Sequence, residues 1–376
     1  MHSQNGAIIG HQMASDSDVP IYARAKEVAK IAATYAGATE ELGYVHPNTL
    51  AVLQDAGTAQ MLKPESLHSI RDFIHVCGLV AEGCMSTGWC NFVWGMHNYL
   101  IGLYPDAVQT EVWQTPHCLV SASLGPVGRV ELTDQGGIVS GRWRFNSGCD
   151  HADWLLLGTT PADGEPHLAL LHKSEYSIID TWQVMGLKGT GSKDAECHSV
   201  AIPADRLMPF SRGIKPFTAL LILVIVGPVI GGAQSAVKSF TNQLATRRTS
   251  SGTALGDQQA TLLRLAEASA EVDTARTITL AAADRLDLNP APDDQTTVRI
   301  MRDTAYAAKL CNQATRRVFE AAGGSALHEH NELQRIFRDV TAGCAQARLH
   351  WDEQAEPYAR QLIREALKHG TRPDES

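Results

Sequence analysis

The stretch VSGRWRFNSGCDHADW, Val139 to Trp154, decides the fold. Its first half alternates. Val139, Gly141, Trp143 and Phe145 take the odd positions, and Ser140, Arg142 and Arg144 take the even ones. A period of two belongs to a β-strand, because successive side chains point to opposite faces. The pattern predicts a strand that carries Trp143 and Phe145 on one face. Taken alone, Ser147 in Phe145-Asn146-Ser147-Gly148-Cys149 reads as a turn residue.

The period-two pattern extends outward in both directions. Trp154–Leu157, Leu168–Leu171 and Val200–Ile202 are further short strands. Asp134 to Gly137 and Pro161-Ala162-Asp163-Gly164 supply the turns between them. Residues 116–212 therefore form a small antiparallel β-domain. On both sides the pattern changes to a helical one. Residues 21–115 carry helices punctuated by Asp55-Ala56-Gly57 and Lys63-Pro64, with Ser66 placed to cap a helix starting near Leu67. Residues 213–376 carry long Ala-rich helices. One breaks at Asn289-Pro290-Ala291-Pro292, a second runs toward Gly323-Gly324, and a third spans about Glu332 to Lys368. Short breaks between long amphipathic helices predict an antiparallel four-helix bundle. Residues 1–20 read as a flexible start.

Composition narrows the function. Of 376 residues, 44% are hydrophobic and 19% charged, which is a globular balance. A net charge of −9 without a basic run argues against a nucleic-acid partner. Phe217 to Ala233 is apolar throughout but is interrupted by Gly227-Pro228 and shorter than a span needs, so a buried core helix is expected and no membrane partner. The first twenty residues lack a basic segment followed by an apolar core, and a cytoplasmic location is expected. Eight scattered cysteines form no CxxC pair, so free thiols and no metal site are expected. Gly186 to Ser192 is Gly-rich but lacks the spacing of a phosphate-binding loop, and no dinucleotide fingerprint follows a strand.

Four motifs in order carry a resemblance. They are Gly88-Trp89 to His97, GRWRFNSGCDHADW at 141–154, Trp182 to Ser192 running on to Pro203, and Gly323-Gly324 followed by Leu333-Gln334-Arg335 and Arg338-Asp339. Together they make a chain that resembles the acyl-CoA dehydrogenase superfamily. More narrowly, it resembles the class D flavin-dependent monooxygenases, the oxygenase halves of two-component systems. The implied fold is mainly α with a central β-domain: an N-terminal helical domain, an antiparallel β-barrel-like domain and a C-terminal four-helix bundle. Where acyl-CoA dehydrogenases often place a Glu-Gly-Thr run after the Arg-Asp pair, this chain has Thr341-Ala342-Gly343. Ser121-Ala122-Ser123-Leu124-Gly125 replaces their flavin-binding stretch. Both departures favour the monooxygenase branch over a dehydrogenase-like oxidase.

The resemblance implies a reduced flavin, FMN or FAD, delivered by a separate NAD(P)H-dependent reductase. Oxygen is the co-substrate and a C4a-hydroperoxide the oxygenating species. The implied substrate is a small aromatic or heteroaromatic compound, of phenol or indole type, with N- or S-oxygenation as the alternative. A homotetramer is implied. Ser147 would donate a hydrogen bond near flavin N5, and His97 would lie near the substrate. Ser121, Ser123, Trp143, Arg247, Gly323 and Gly324 would contact the flavin; read from the residues alone, a Trp on an alternating strand is a core residue by default, and Arg247 beside Arg248 equally fits a solvated helix end. Phenol-hydroxylating relatives carry a His eight residues after the Arg of the Arg-Asp pair, and counting from Arg338 gives Gln346 here. Glutamine cannot serve as a general base but can orient a group by hydrogen bonding. His350, His328 and His330 are the nearby alternatives.

Overall fold

The computed structural model describes residues 20–115, 117–246, 248, 252 and 255–370. Six helices come first: α1 (Ile21–Thr34), α2 (Ala36–Leu42), α3 (Pro47–Ala56), α4 (Ile70–Gly83), α5 (Met85–Ile101) and α6 (Asp106–Val112). Gly57 ends α3 in the left-handed conformation, as the Asp-Ala-Gly signal predicts. The cap expected at Ser66 lies three residues later. Ser69 accepts from the Asp72 backbone while Asp72 reaches back to Ser69, a reciprocal box that starts α4 at Ile70.

Seven strands follow: β1 (Val120–Thr133), β2 (Gly136–Asn146), β3 (Trp154–Thr160), β4 (His167–His172), β5 (Ser177–Ile179), β6 (Lys193–Pro203) and β7 (Leu207–Pro209). They form one sheet in the order β5-β6-β2-β1-β3-β4-β7. The expectation of a purely antiparallel, barrel-like domain needs correction, because the sheet is open and β1 pairs parallel with β3. The chain reverses once from β1 to β2 and again into β3, which enters on the far side of β1 and runs in its direction.

The expected shared face of Trp143 and Phe145 also fails. The register of β2 against β6 slips between Trp143 and Asn146, and Phe145 takes a φ of 66°. A slip of this kind turns the next side chain to the other face. Trp143 is fully buried, whereas Phe145 is 59% exposed.

After the short α7 (Phe210–Gly213) come α8 (Thr218–Leu223), α9 (Val226–Thr246), α10 (Gln259–Leu288), α11 (Asp294–Ala322), α12 (Glu332–Cys344) and α13 (Trp351–Gly370). The apolar segment becomes α8 and the start of α9, and every residue from Ala219 to Ala233 is buried. There α9 crosses α4 backbone to backbone. A Cβ on Gly231 would stand 2.0 Å from the Gly78 carbonyl oxygen, so only glycine permits this approach. The expected third long helix is two, α12 and α13, separated at Gln346.

Candidate active site

Three of the four motifs meet where α5 packs on β1 and on the Lys188–Thr190 turn. Helix α5 is buried along almost its whole length, so its polar residues need internal partners. His97 finds one: its Nδ1 lies 3.0 Å from the Val120 carbonyl oxygen. A carbonyl only accepts, so Nδ1 holds the hydrogen and Nε2 is left as an acceptor. Burial pushes the imidazole down to about 4, although the Val120 bond works the other way. His97 is therefore neutral at pH 7.

Ser147 sits one residue past β2, and its backbone is fixed on both sides. Ser121 Oγ donates to the Ser147 carbonyl at 2.7 Å. The Gly148 N–H donates to the Thr190 carbonyl at 2.7 Å, and Trp94 Nε1 donates to the Gly148 carbonyl at 3.3 Å. Gly148 has a φ of 73°, and an added Cβ would fall 2.6 Å from Trp94 Nε1. The Ser147 hydroxyl enters a chain. Ser147 Oγ and Ser192 Oγ are 2.7 Å apart, Ser192 Oγ and Thr190 Oγ1 are 2.7 Å apart, and Thr190 Oγ1 donates to the Leu187 carbonyl at 2.8 Å.

The fourth motif holds the end of that chain. The Asp339 carboxylate accepts the Leu187 N–H at 2.6 Å, and Arg338 Nη1 reaches the Met185 carbonyl and Glu40 Oε1, both at 2.6 Å. Leu187 is thereby kept at a φ of 54°, a conformation unfavourable for a branched side chain. Burial raises the Asp339 carboxyl to about 6, against the lowering effect of the Leu187 N–H. Thr190, Ser192 and Asp339 are site residues that the motif reading missed. Their signal was the spacing of hydroxyls within Gly189-Thr190-Gly191-Ser192, which becomes meaningful only once β2 and β6 are paired.

Several expected contacts are placed differently. Ser121 is fully buried and its hydrogen is spent on Ser147, so it supports the seat from behind. Ser123 Oγ donates to the Arg144 carbonyl at 2.9 Å and steadies the same turn. Trp143 lies in the sheet core with Nε1 donating to the Gly158 carbonyl at 2.7 Å, so it cannot wall a bound ring. The aromatic left free is Phe145, whose ring meets Trp182 edge-on at 6.0 Å and lies under the Arg144 guanidinium at 5.1 Å. Gln346 does not face the site as part of a continuous helix. Its side chain accepts the Arg348 N–H at 2.6 Å and caps the turn between α12 and α13. His350, His328 and His330 are exposed. Gly323 and Gly324 end α11, and an added Cβ on either would meet nothing within 4 Å among the described residues, so neither lies at the Ser147 cluster. Arg247 lies outside the described residues. His151 orders its turn through Nε2 and the Val45 carbonyl, 2.8 Å apart. Among the described residues no group of three His, Cys, Asp or Glu side chains is placed to hold a metal.

These residues fit a flavin edge. The groups at the seat are neutral hydroxyls and a neutral imidazole, as suits a site that must favour uncharged, water-poor chemistry. Phe145 offers an aromatic face. Asn146 Oδ1, next to Ser147, is buried and has no partner among the described residues.

The layer order, helices then one sheet then a helical bundle, with the site between the first two, defines the acyl-CoA dehydrogenase fold. Residues 223–351 match the family model for the acyl-CoA dehydrogenase C-terminal domain. The chain is 30% identical over 339 residues to the flavin-dependent monooxygenase oxygenase subunit HsaA of Mycobacterium tuberculosis, covering 82% of this chain and 86% of that one. It is 27% identical to the FADH2-dependent resorcinol hydroxylase oxygenase component of Rhizobium sp. (strain MTP-10005), covering 89% and 91%. The crystal structure of the M. tuberculosis HsaA monooxygenase superposes with a TM-score of 0.85 at 26% identity, over 91% of this chain and 96% of that one. The chain belongs to the flavin-dependent monooxygenases, as an oxygenase component of the two-component type. It is an enzyme that uses reduced flavin and oxygen to oxygenate an aromatic compound.

Proposed function

We propose that Ser147 faces N5 of the reduced flavin, that Phe145 walls the ring, and that His97 lies on the substrate side with Nε2 as acceptor. Bound flavin supplies two electrons for oxygen activation. One oxygen atom enters the substrate and the other leaves as water. The chain's own groups hold the flavin edge, keep water out and orient the substrate. The observation that carries this reading is the convergence of Ser147 and the neutral His97 on adjacent residues of β1, through Ser121 and Val120.

The substrate class follows from the same geometry. A phenolic substrate, as in the resorcinol hydroxylase, is oriented by donating to His97 Nε2. With its imidazole pushed to about 4, His97 is a weak base, and Gln346 is occupied as a cap. That combination favours electron-rich rings that need no prior deprotonation, indoles as well as phenols, and extends to amines or sulfides as a second reading. A separate reductase supplies flavin by diffusion. A homotetramer in the cytoplasm completes the proposal, and open space at Gly323 and Gly324 leaves that end of the bundle free for a neighbouring subunit.

The test is a product screen by mass spectrometry with a generic flavin reductase against phenols, indoles, amines and sulfides. Oxygenated aromatic product is expected. If every substrate gives only hydrogen peroxide, the assignment of the site is wrong.

A further inference from the structure

Ser147, Ser192 and Thr190 each carry one hydroxyl hydrogen, so the direction of their chain is fixed by its end. The Leu187 carbonyl has no hydrogen to give, so the 2.8 Å contact uses the Thr190 hydrogen. With that hydrogen placed, Ser192 donates to Thr190 across 2.7 Å. By the same step Ser147 donates to Ser192 across 2.7 Å. All three hydroxyls are buried, where a misdirected one is costly. Ser147 is left with lone pairs toward the site and no hydrogen to offer.

We propose that this hydroxyl relay makes the seat selective for the redox state of the flavin. Ser147 presents an acceptor, which suits the hydrogen on N5 of reduced flavin and opposes the N5 lone pair of oxidised flavin. The proposal rests on the placement of Ser147 at N5, and it reverses the donor role that the resemblance implied. To receive oxidised flavin with a hydrogen bond, the whole chain must turn round, which sets a Thr190 lone pair against the Leu187 carbonyl. Leu187 has little room to retreat, because Asp339 holds its N–H at 2.6 Å and Arg338 holds the Met185 carbonyl at 2.6 Å. Thr190, Ser192 and the Leu187 carbonyl are positioning groups. They act on the flavin only through Ser147.

The experiment is a pair of titrations of the full chain, with oxidised FMN and with dithionite-reduced FMN under anaerobic conditions, repeated with FAD. The readout is the ratio of the two Kd values. Thr190→Val keeps the shape and removes the anchor. Ser192 then turns its hydrogen to Ser147, and Ser147 is free to donate outward. The preference for reduced flavin falls by about fivefold, the worth of one neutral hydrogen bond, mainly because oxidised flavin binds tighter. Thr190→Ser restores it. In a Ser147→Ala background Thr190→Val changes nothing further. Ser192→Ala carries the same test if Thr190→Val does not fold. A fall that Thr190→Ser does not reverse marks a packing effect and overturns the relay. A ratio that Ser147→Ala moves but Thr190→Val and Ser192→Ala leave alone also overturns the relay, while keeping Ser147 at the flavin. A ratio that no variant moves overturns the placement of Ser147, and the relay with it.

Discussion

Gly148→Ala is the perturbation that tests the seat most directly. Two costs are set by the structure. The residue has a φ of 73°, and an L side chain in the left-handed region costs about 1–2 kcal/mol. Its new Cβ would also lie 2.6, 2.8 and 2.9 Å from Trp94 Nε1, Cε2 and Cζ2, atoms of a fully buried ring. Overpacking of this kind costs about 1–3 kcal/mol. The total is about 2–5 kcal/mol, a large part of the roughly 5–15 kcal/mol that a folded protein has. Gly57→Ala is the control. Its φ of 69° is nearly the same, but among the described residues its Cβ meets only Arg24 Nη1 at 3.9 Å. Urea denaturation of the two variants separates strain from packing, with the Gly57 variant losing about 1–2 kcal/mol. Gly148→Ala must also weaken binding of reduced flavin, because relief of the Trp94 contact shifts Ser147. Equal midpoint shifts in the two variants, with flavin affinity unchanged in both, would refute the argument.

Four further outcomes follow from the same geometry. Burial lowers the folded-state value of His97 from 6.5 to about 4, so its contribution to stability is full above 6.5 and is lost as pH falls toward 4. Between about pH 8 and pH 5 this loss is about 2 kcal/mol; it should disappear in His97→Asn, and an identical pH slope in both proteins would argue against a buried neutral imidazole. Because the raised Asp339 carboxyl has the opposite sign, losing stability as pH rises through about 6, the comparison is made as the difference between the two proteins. Trp143→Phe removes the buried hydrogen bond to the Gly158 carbonyl and lowers stability by about 1 kcal/mol without changing flavin affinity. Phe145→Ala does the reverse: thermal denaturation moves little, while reduced-flavin affinity falls roughly fivefold. Gln346→Ala removes a cap worth about 1 kcal/mol, and the share of consumed oxygen that appears as product stays the same. A drop in that share would return Gln346 to the substrate side.

Much of this protein was legible in its sequence, and the legible part has a common cause. The strand at 139–146, the helices on either side, the glycine that ends α3 and the layer order all reflect dihedral preferences and burial periods, which act within a few residues. Order and spacing of motifs then gave the family. What the sequence left open depends on pairs of residues far apart in the chain. Trp143 and Phe145 share a parity in the sequence but not a face, because the slip against β6 is a property of two strands. Gln346 counts to a helical position but caps a break, because α12 ends at Cys344. The polarity of the Ser147 hydroxyl is set by a carbonyl at residue 187, itself held by a carboxylate at residue 339. Periodicity alone therefore determined that there is a strand leading into residue 147. Only the tertiary structure decided which way its hydroxyl points, since a hydrogen-bond chain takes its direction from whichever group at its end cannot donate.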